Sequence, residues 1–519
     1  GYDGVEIMGS EGYFINQFLV EHTNKRTDEW GGSFENRMRL PIEIVKRTRE
    51  KVGKDFILIY RLSMLDLVKN GQSWEEIVTL GKAIETAGAT LINTGIGWHE
   101  ARIPTIGTMV PRAGFTFVTK RMKEHVSIPL VTTNRINTPD VAEEVLASGA
   151  ADMISMARPF LADEAFISKA KAGKADEINT CIACNQACLD HTFQKKTCSC
   201  LVNPRACHET EIIIEPATEK KRFAVIGAGP AGLAASTTLA KRGHTVDLFD
   251  AAEEIGGQFN MAKQIPGKEE FYETIRYFNK QIELQGVNLK LSTKVSRSDL
   301  IDQGYDEVLL ATGVLPRELN LNGIDHEKVL TYIDVLKHKK DVGQKVALIG
   351  AGGIGFDVAE YLSHLGKSPA TDVELFMDEW GVDMSLTNRG GLKKHQHIPE
   401  SPREIYLLQR KTSKPGKGLG KTTGWIHRLS LTNRKVNMIP GVQYEKIDDQ
   451  GLHISISGEP QLLDVDNVVI CAGQVPLREL QEPLEEAGIK VHLIGGADVA
   501  AELDAKRAID QATRLAVTL

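Results

Sequence analysis

The chain has 519 residues, which is too long for a single hydrophobic core, so two to four domains are expected. Hydrophobic residues make up 42% and charged residues 25%, which are ordinary values for a globular protein. The net charge is −7 at pH 7 and no block of like charges occurs, which argues against a nucleic-acid partner; no apolar run reaches the ~18 residues that a membrane span requires.

The cysteines are concentrated in one place. Five of the seven fall between Cys181 and Cys200, whereas a disulfide framework would spread its cysteines along a small secreted domain. The N-terminal sequence GYDGVE lacks the basic start and apolar stretch of a signal peptide. We therefore expect metal ligation in a reducing, cytoplasmic compartment, without membrane association and without an obligatory protein partner.

Residues 1–175 alternate short β-rich runs with amphipathic stretches, which indicates a parallel sheet. The predicted strands are residues 3–8, 56–62, 90–94, 129–134 and 152–156, and the predicted helices are residues 34–52, 74–87 and 139–147. No GxGxxG motif occurs in this region, which favours a barrel over a Rossmann sheet. A barrel needs eight β/α units, so about three more are expected upstream of Gly1. The alternative is an open five-stranded α/β domain.

Several polar residues follow these predicted strands, at the edge where barrel enzymes carry their chemistry. Tyr13 lies just past the first strand and His99 just past the third, so the two could form a proton-donor pair. The alternative for both is a structural hydrogen-bonding role. Arg61 is predicted to end the second strand. Arg135 and Arg158 follow the last two strands, where barrels often bind a phosphate, and they would suit the phosphate of FMN.

The cysteine segment has the spacing Cys181-x2-Cys184-x3-Cys188-x11-Cys200. Thiolates are soft ligands, and four of them suit a [4Fe–4S] cluster. The alternative is structural zinc, although zinc sites usually pair two CxxC motifs. Cys198 competes with Cys200 as the fourth ligand.

The remaining two cysteines are Cys207 and Cys471. Both are predicted to be ordinary buried residues.

A first glycine motif, GAGPAG, follows the predicted strand Arg222–Ile226. Gly227, Gly229 and Gly232 would make the turn, admit a pyrophosphate and allow close packing of helix on strand. Asp250, at the end of the next strand, is placed to bind a ribose hydroxyl. The alternative is a glycine turn without a ligand. The run that ends in Asp498 is assigned back to this domain.

A second motif, GAGGIG, follows the predicted strand Lys345–Ile349 and contains Gly350, Gly352 and Gly355. The acid expected at the end of the next strand is absent. Instead, strand Glu404–Leu408 leads into Arg410 and Lys411, two cations that would fit a ribose 2′-phosphate and favour NADPH. The alternative is a solvated basic turn.

The predicted fold class is α/β: the C-terminal part of a (β/α)8 barrel, then an iron–sulfur segment, then two nested Rossmann-like nucleotide-binding domains. The predicted parts are a partial FMN barrel (1–175), a [4Fe–4S] segment (176–215), an FAD-binding domain (222–340 and 472–519) and an NADP-binding domain (341–471).

This order of motifs resembles the bacterial 2,4-dienoyl-CoA reductases, within the old-yellow-enzyme-like NADH:flavin oxidoreductase and trimethylamine dehydrogenase family. The segments NTGIGWHEAR (93–102) and GLGKTTGW (418–425) are similar to those of the dienoyl-CoA reductase branch. The resemblance implies an enzyme of unsaturated fatty acid β-oxidation that contains FMN, FAD and a [4Fe–4S] cluster. Hydride would pass from NADPH to FAD, and single electrons would pass through the cluster to FMN. FMN would then reduce the acyl-CoA substrate.

The resemblance also implies roles for single residues. Tyr13 matches the proton donor and His99 its partner, and Cys198 is left without a role. The other matching positions are Cys181, Cys184, Cys188 and Cys200 for the cluster; Arg61, Arg135, Ala157 and Arg158 for FMN; Ala231, Asp250, Gln258, Lys268 and Val295 for FAD; Arg410 and Lys411 for NADP; and His99, Glu100, Ala101 and Arg102 for the substrate.

Three other functions remain open from the sequence. The first is an amine dehydrogenase of the trimethylamine type, which would need no NADPH and is disfavoured by Arg410 and Lys411. The second is an enoate reductase or other flavin reductase that uses NADH. The third is a non-catalytic electron-transfer subunit, expected if the partial barrel does not fold.

Overall fold

The computed structural model describes residues 1–501 and 504–519. The chain forms two compact units. The barrel unit consists of Gly1–Ala157 and Lys367–Pro399, and the nucleotide unit consists of Arg158–Gly366 and Glu400–Leu519. No helix within the described residues is long and apolar enough to cross a membrane.

The first part of the barrel unit alternates strands and helices. Its elements are β1 (Gly4–Gly9), α1 (Phe14–Leu19), α2 (Phe34–Arg37), α3 (Arg39–Val52), β2 (Ile57–Leu65), α4 (Trp74–Thr86), β3 (Leu91–Ile96), α5 (Thr116–Met122), β4 (Leu130–Thr132), α6 (Pro139–Ala147) and β5 (Met153–Ile154). All neighbouring strands are parallel and lie in the order β1-β2-β3-β4-β5. Successive β/α units of a barrel have this order.

Local sequence explains where these elements begin. Helix α4 starts at a capping box, in which the Ser73 hydroxyl accepts from the amide of Glu76 and the Glu76 carboxylate accepts from the amide of Ser73. Helix α6 starts at Thr138, with Pro139 in its first turn. Because parallel strands end at one edge of the sheet, the loops after β1 and β3 meet there.

Along the chain, a region with little regular structure follows the barrel strands and precedes the nucleotide-binding sheets. Its helices are short: α7 (Arg158–Ala162), α8 (Phe166–Lys171) and α9 (Leu189–Phe193). Two residues of the cysteine segment, Ala183 and Asn185, adopt left-handed conformations, with φ of 53° and 63°. This backbone folds the segment back on itself, so the cysteines are not arranged along one helix or strand.

Apart from the helix Val373–Glu379, which belongs to the barrel unit, the remaining residues build two nucleotide-binding sheets and their connections. Their elements are β6 (Arg222–Ile226), α10 (Pro230–Lys241), β7 (Thr245–Phe249), α11 (Phe259–Ala262), α12 (Phe271–Gln285), β8 (Asn288–Lys290), α13 (Arg297–Asp302), β9 (Glu307–Leu310), β10 (Val314–Pro316), β11 (Val329–Thr331), α14 (Tyr332–Leu336), β12 (Lys345–Ile349), α15 (Gly353–Ser363), α16 (Val373–Glu379), β13 (Glu404–Leu408), α17 (Gly424–Asn433), β14 (Asn437–Ile439), β15 (Val442–Asp448), β16 (Gly451–Ile456), β17 (Glu459–Leu463), β18 (Asn467–Ile470), β19 (Gln474–Pro476), α18 (Gln481–Glu486), β20 (Lys490–Leu493) and α19 (Ala505–Ala516).

These strands form two parallel five-stranded sheets, one nested within the other along the chain. The first has the order β20-β9-β6-β7-β8, and the second has the order β11-β18-β12-β13-β14. Strands β15 to β17 form an antiparallel meander, and β10 pairs with β19 where the chain enters and leaves the second sheet. Two nested Rossmann-like domains are therefore present, as the two glycine motifs predicted.

Two segments lie elsewhere than the sequence-based division placed them. Strand β11, within the predicted range 222–340, pairs with β18 in the second sheet. Residues 367–399, within the predicted range 341–471, pack with the barrel unit; we call them the excursion segment. The Gly390 carbonyl accepts from the amide of Leu67 at 2.9 Å, and the Gly390 amide donates to the carbonyl of Gln72 at 2.8 Å. Such contacts join distant parts of the chain, so local periodicity does not reveal them.

Candidate active site and cofactor sites

Tyr13 and His99 are in direct contact at the edge where β1 and β3 end. The Tyr13 hydroxyl and His99 Nε2 share a hydrogen bond of 2.8 Å, and their rings meet edge to face with centroids 5.1 Å apart. Tyr13 directly precedes helix α1 in an extended conformation and remains 46% exposed, so a ligand can reach it. The structure thus brings together the two residues predicted as a proton-donor pair, in a geometry suited to holding and passing a proton.

The predicted substrate residues form a turn after β3. The amide of Ala101 donates to the carbonyl of Trp98 at 3.0 Å, and this closes the turn around His99. Glu100 and Arg102 are exposed, whereas Ala101 is buried. The turn can therefore offer His99 and two charged side chains of opposite sign to a ligand.

The arginines predicted to bind FMN have differing environments. Arg61 lies inside β2, because that strand continues to Leu65, so the prediction that it ends the strand is wrong. Its guanidinium is paired with Glu6 at 3.0 Å and with Glu11 at 3.4 Å. Arg135 is buried, and its Nε donates to the carbonyl of Val110 at 2.9 Å.

Ala157 and Arg158 lie where the chain passes from the barrel unit to the nucleotide unit. Arg158 begins helix α7, and its Nη1 donates to Asn185 Oδ1 at 2.6 Å. The guanidinium therefore lies beside the cysteine segment, and its predicted contact with the FMN phosphate stays a prediction. Charge complementarity gives a reason for the position beside the cysteines, since a cation is favourable next to a group of thiolates.

Cys181, Cys184, Cys188 and Cys200 line one pocket, with Arg158 and Asn185 among the other lining residues. Burial and, to a smaller extent, the charges of the neighbouring Cys181 and Cys188 raise the pKa of the Cys200 thiol to about 12. Burial and the same neighbours hold the pKa of Cys184 well above its usual value. The four cysteines therefore line one pocket, and Cys198 is not among its lining residues.

The arrangement of these four cysteines suits an iron–sulfur cluster better than a single metal ion. Within residues 1–501 and 504–519, no three His, Cys, Asp or Glu side chains surround a point in the manner of a single-ion site. A four-iron cluster takes each thiolate on a different iron, so its ligands stand farther apart than those of one ion. A pocket lined by four cysteines fits that requirement.

A segment of the second nucleotide-binding domain holds the cysteine segment. The carboxylate of Asp190, in helix α9, accepts from the Thr422 amide at 2.7 Å and from its hydroxyl at 2.6 Å. Lys421 Nζ donates to the carbonyl of Phe193 at 2.7 Å. Residues 418–425, singled out for their resemblance, therefore contact the cysteine segment. Asp190 could not be recognised from sequence patterns because its partner Thr422 lies more than two hundred residues away.

The two remaining cysteines differ from each other. Cys471 is buried, as predicted, and burial raises its pKa. Cys207 is exposed, so the prediction that it is buried is wrong. Its left-handed backbone, with φ of 61°, places it in a surface turn.

The first glycine loop has the close contacts expected of a dinucleotide site. A Cβ on Gly232 would lie 1.8 Å from the Gly227 carbonyl oxygen, whereas a Cβ on Gly229 would meet nothing closer than 4.0 Å. Helix α10 begins directly after Gly229 without a side-chain cap, so its first amides are available to an anion. Asp250 Oδ2 accepts from the amide of Ala228 at 2.6 Å, which holds the loop against the end of β7.

The other predicted FAD residues surround this loop or lie at its margins. A Cβ on Gly495 would lie 2.9 Å from the Ala231 Cβ, which brings the segment that ends in Asp498 to the start of α10. Asp498 Oδ2 accepts from Gln511 Nε2 at 2.7 Å. The further residues are Gln258, which precedes α11; Val295, which is buried; and Lys268, whose Nζ is paired with Asp357 Oδ1 at 2.6 Å.

The second glycine loop repeats this geometry. A Cβ on Gly355 would lie 1.8 Å from the Gly350 carbonyl oxygen, and a Cβ on Gly352 would meet no atom within 4 Å. Helix α15 also starts without a side-chain cap. Arg410 and Lys411 follow β13 as predicted and are exposed. Both glycine loops therefore leave room for a pyrophosphate and present helix amides to it. The second domain also places the cations of Arg410 and Lys411 after β13.

Two parts of the chain match families of known proteins. Residues 1–177 match the NADH:flavin oxidoreductase / NADH oxidase family, and residues 221–507 match the pyridine nucleotide-disulphide oxidoreductase family. A metal reductase of Desulforamulus reducens is 32% identical over 96% of this chain and 74% of its own length. A cinnamate reductase of Clostridium sporogenes is 28% identical over 96% of this chain and 72% of its own length. The solved structure of a 2-naphthoyl-CoA reductase complex covers 100% of this chain and 74% of its own, with a TM-score of 0.89 and 30% identity.

Proposed function

Because the chain belongs to the flavin oxidoreductases that join an NADH:flavin oxidoreductase / NADH oxidase domain to a pyridine nucleotide-disulphide oxidoreductase domain, we propose that it is an NADPH-dependent 2,4-dienoyl-CoA reductase. The coarser activity, flavin-dependent reduction of activated C=C bonds with a pyridine nucleotide, follows from the family and its relatives. The thioester substrate, the choice of NADPH and the iron–sulfur cluster are the parts that we add.

The observation that carries the proposal is the Tyr13–His99 hydrogen bond at the open edge of the barrel sheet. Reduction of a conjugated C=C bond adds a hydride at one carbon and requires a proton at another. The Tyr13 hydroxyl is placed to hold that proton. A proton that leaves it can be replaced from His99 across the 2.8 Å contact.

Other residues would hold the cofactors. Cys181, Cys184, Cys188 and Cys200 would ligate a [4Fe–4S] cluster, and the amides at the starts of α10 and α15 would bind the pyrophosphates of FAD and NADPH. FMN would bind beside Tyr13 in the barrel unit. When bound, these cofactors supply two-electron chemistry at the nicotinamide and flavins and one-electron transfer at the cluster.

The relatives support an unsaturated acyl substrate. One is named a cinnamate reductase and another a 2-naphthoyl-CoA reductase, and both names denote conjugated carboxylic acids or their thioesters.

The proposal is tested by substrate competition on protein reconstituted with FMN, FAD, iron and sulfide. We expect NADPH-dependent reduction of 2,4-hexadienoyl-CoA, measured by loss of the dienoyl absorbance and by product analysis. Cinnamate is assayed in the same way with NADPH, and trimethylamine is assayed with ferricyanide in place of NADPH because an amine is oxidised rather than reduced. Faster turnover of either one would replace the proposed substrate by an unsaturated free acid or an amine.

The preference for NADPH is tested at the end of β13. Replacing Arg410 and Lys411 together by Ala should weaken NADPH binding by about 2–4 kcal/mol, since two charge-assisted contacts to a phosphate are lost. NADH binding should change little, because NADH lacks the 2′-phosphate. Nucleotide titration of FAD-loaded protein measures both affinities. An equal loss for NADPH and NADH would show that the two cations do not recognise the 2′-phosphate.

A further inference from the structure

Asp66 is the most completely buried carboxylate near the candidate active site. It follows directly after β2 and has no exposed surface. Its Oδ1 accepts from the Ser63 hydroxyl at 2.7 Å and from Trp98 Nε1 at 2.9 Å, and its Oδ2 accepts from the Gln72 amide at 2.7 Å. A fourth donor, Asn16 Nδ2, lies 3.3 Å from Oδ1. These donors satisfy a carboxylate that is otherwise removed from water.

Two of these donors belong to the loops that carry Tyr13 and His99. Asn16 lies in helix α1, and its Oδ1 accepts from the amide of Gly12 at 2.9 Å, next to Tyr13. Trp98 directly precedes His99, and its amide also donates to the carbonyl of Asp66 at 3.0 Å. A Cβ on Gly12 would lie 2.9 Å from the indole of Trp98, so the two loops pack on each other above Asp66.

The chemistry of the carboxylate fixes the orientation of both loops. A carboxylate only accepts hydrogen bonds, so it selects the amide orientation in which Asn16 Nδ2 faces it and Asn16 Oδ1 faces Gly12. The indole of Trp98 can only donate, so it has one favourable direction as well. One buried anion thus determines where both loops lie.

We propose that Asp66 is a positioning residue that sets the contact between Tyr13 and His99. The proposal rests on the proposed function, in which this pair delivers the proton. Asp66 contacts neither ring in the described structure and acts through Asn16 on one side and Trp98 on the other.

The test is Asp66→Asn, alone and combined with Tyr13→Phe. An Asn at this site must turn an NH2 group toward either the Gln72 amide or the donors on Oδ1, so at least one donor loses its acceptor while the volume is almost unchanged. We expect kcat for dienoyl-CoA reduction to fall by about 10- to 100-fold, as for a small misplacement of a catalytic group. KM should change little, and the position of the product double bond should shift toward that of Tyr13→Phe.

The double variant separates positioning from general destabilisation. If Asp66 acts through Tyr13, the double variant should be no slower than Tyr13→Phe alone, because coupled residues are non-additive. Asp247→Asn is the matched control: Asp247 is a buried carboxylate that accepts from Tyr305 and Asn288 in the nucleotide unit, and its replacement should leave the product distribution unchanged. Trp98→Phe removes one donor to Asp66 and applies the same test if Asp66→Asn does not fold.

The outcomes distinguish the two proposals. Unchanged turnover in Tyr13→Phe would overturn the proposed proton donor and with it this inference. A normal loss in Tyr13→Phe, combined with an additive effect of Asp66→Asn or an unchanged product, would overturn the positioning role alone.

Discussion

Replacing Tyr13 by Phe is expected to lower dienoyl-CoA reduction by about 10²- to 10⁴-fold, the range for loss of a positioned general acid. The change removes one hydroxyl and almost no volume, and Tyr13 is 46% exposed, so folding and flavin content should persist. NADPH oxidation with ferricyanide should also persist, because it uses the nucleotide unit. Both rates and the product are measured on the same preparation.

The residual activity of this variant is informative in itself. If His99 or water delivers the proton to a different carbon, the product double bond moves, and product analysis detects it. Tyr2→Phe is the control, since Tyr2 is an exposed tyrosine of the same unit at 90% exposure. Full dienoyl-CoA turnover with the normal product in Tyr13→Phe would return Tyr13 to a structural role.

Replacing Cys200 by Ser should remove the iron–sulfur cluster, whereas replacing Cys198 by Ser should retain it. Cys200 lines the pocket with the other three cysteines, and Cys198, two residues away, does not. Anaerobically prepared Cys198→Ser protein should therefore be brown and contain about four irons per chain, and Cys200→Ser protein should contain far fewer.

FAD provides the internal control for this pair of variants. The glycine loop predicted to bind FAD follows β6 and contains no cysteine, so both variants should retain FAD at the level of the unmodified protein. Iron, acid-labile sulfide and flavin are measured together. Equal iron content in the two variants would contradict the prediction that Cys200, and not Cys198, ligates the cluster. Stoichiometric zinc without iron in the unmodified protein would overturn the cluster itself.

Strands followed by glycine loops were predictable because every signal they need is local. The predicted strands Arg222–Ile226 and Lys345–Ile349 have the same bounds in the structure. Each is an apolar run that ends at a glycine, and the tight turn after the strand requires that glycine. The β/α alternation likewise predicted the parallel order of β1 to β5. Tyr13 and His99 were found from their positions after strands, because parallel strands end at one edge.

Features that depend on side chains from distant segments were not predictable in this way. Spacing alone left Cys198 and Cys200 as alternatives, and the fold of the loop decides which one lines the pocket. Arg61 was misplaced because the apolar run of β2 continues past it to Leu65. Asp66 gave no signal as a single acid between apolar residues, since its donors come from positions 16, 63, 72 and 98.

The excursion segment has a consequence for recombining this protein with its relatives. The polypeptide passes between the two units at three points: after residues 157, 366 and 399. A chimera with a single junction near residue 158 would therefore combine one protein's excursion segment with another protein's barrel strands. Gly390 and Leu67 would then have to match across two parents. A functional exchange of the nucleotide unit requires three junctions, so that residues 367–399 are inherited together with the barrel strands.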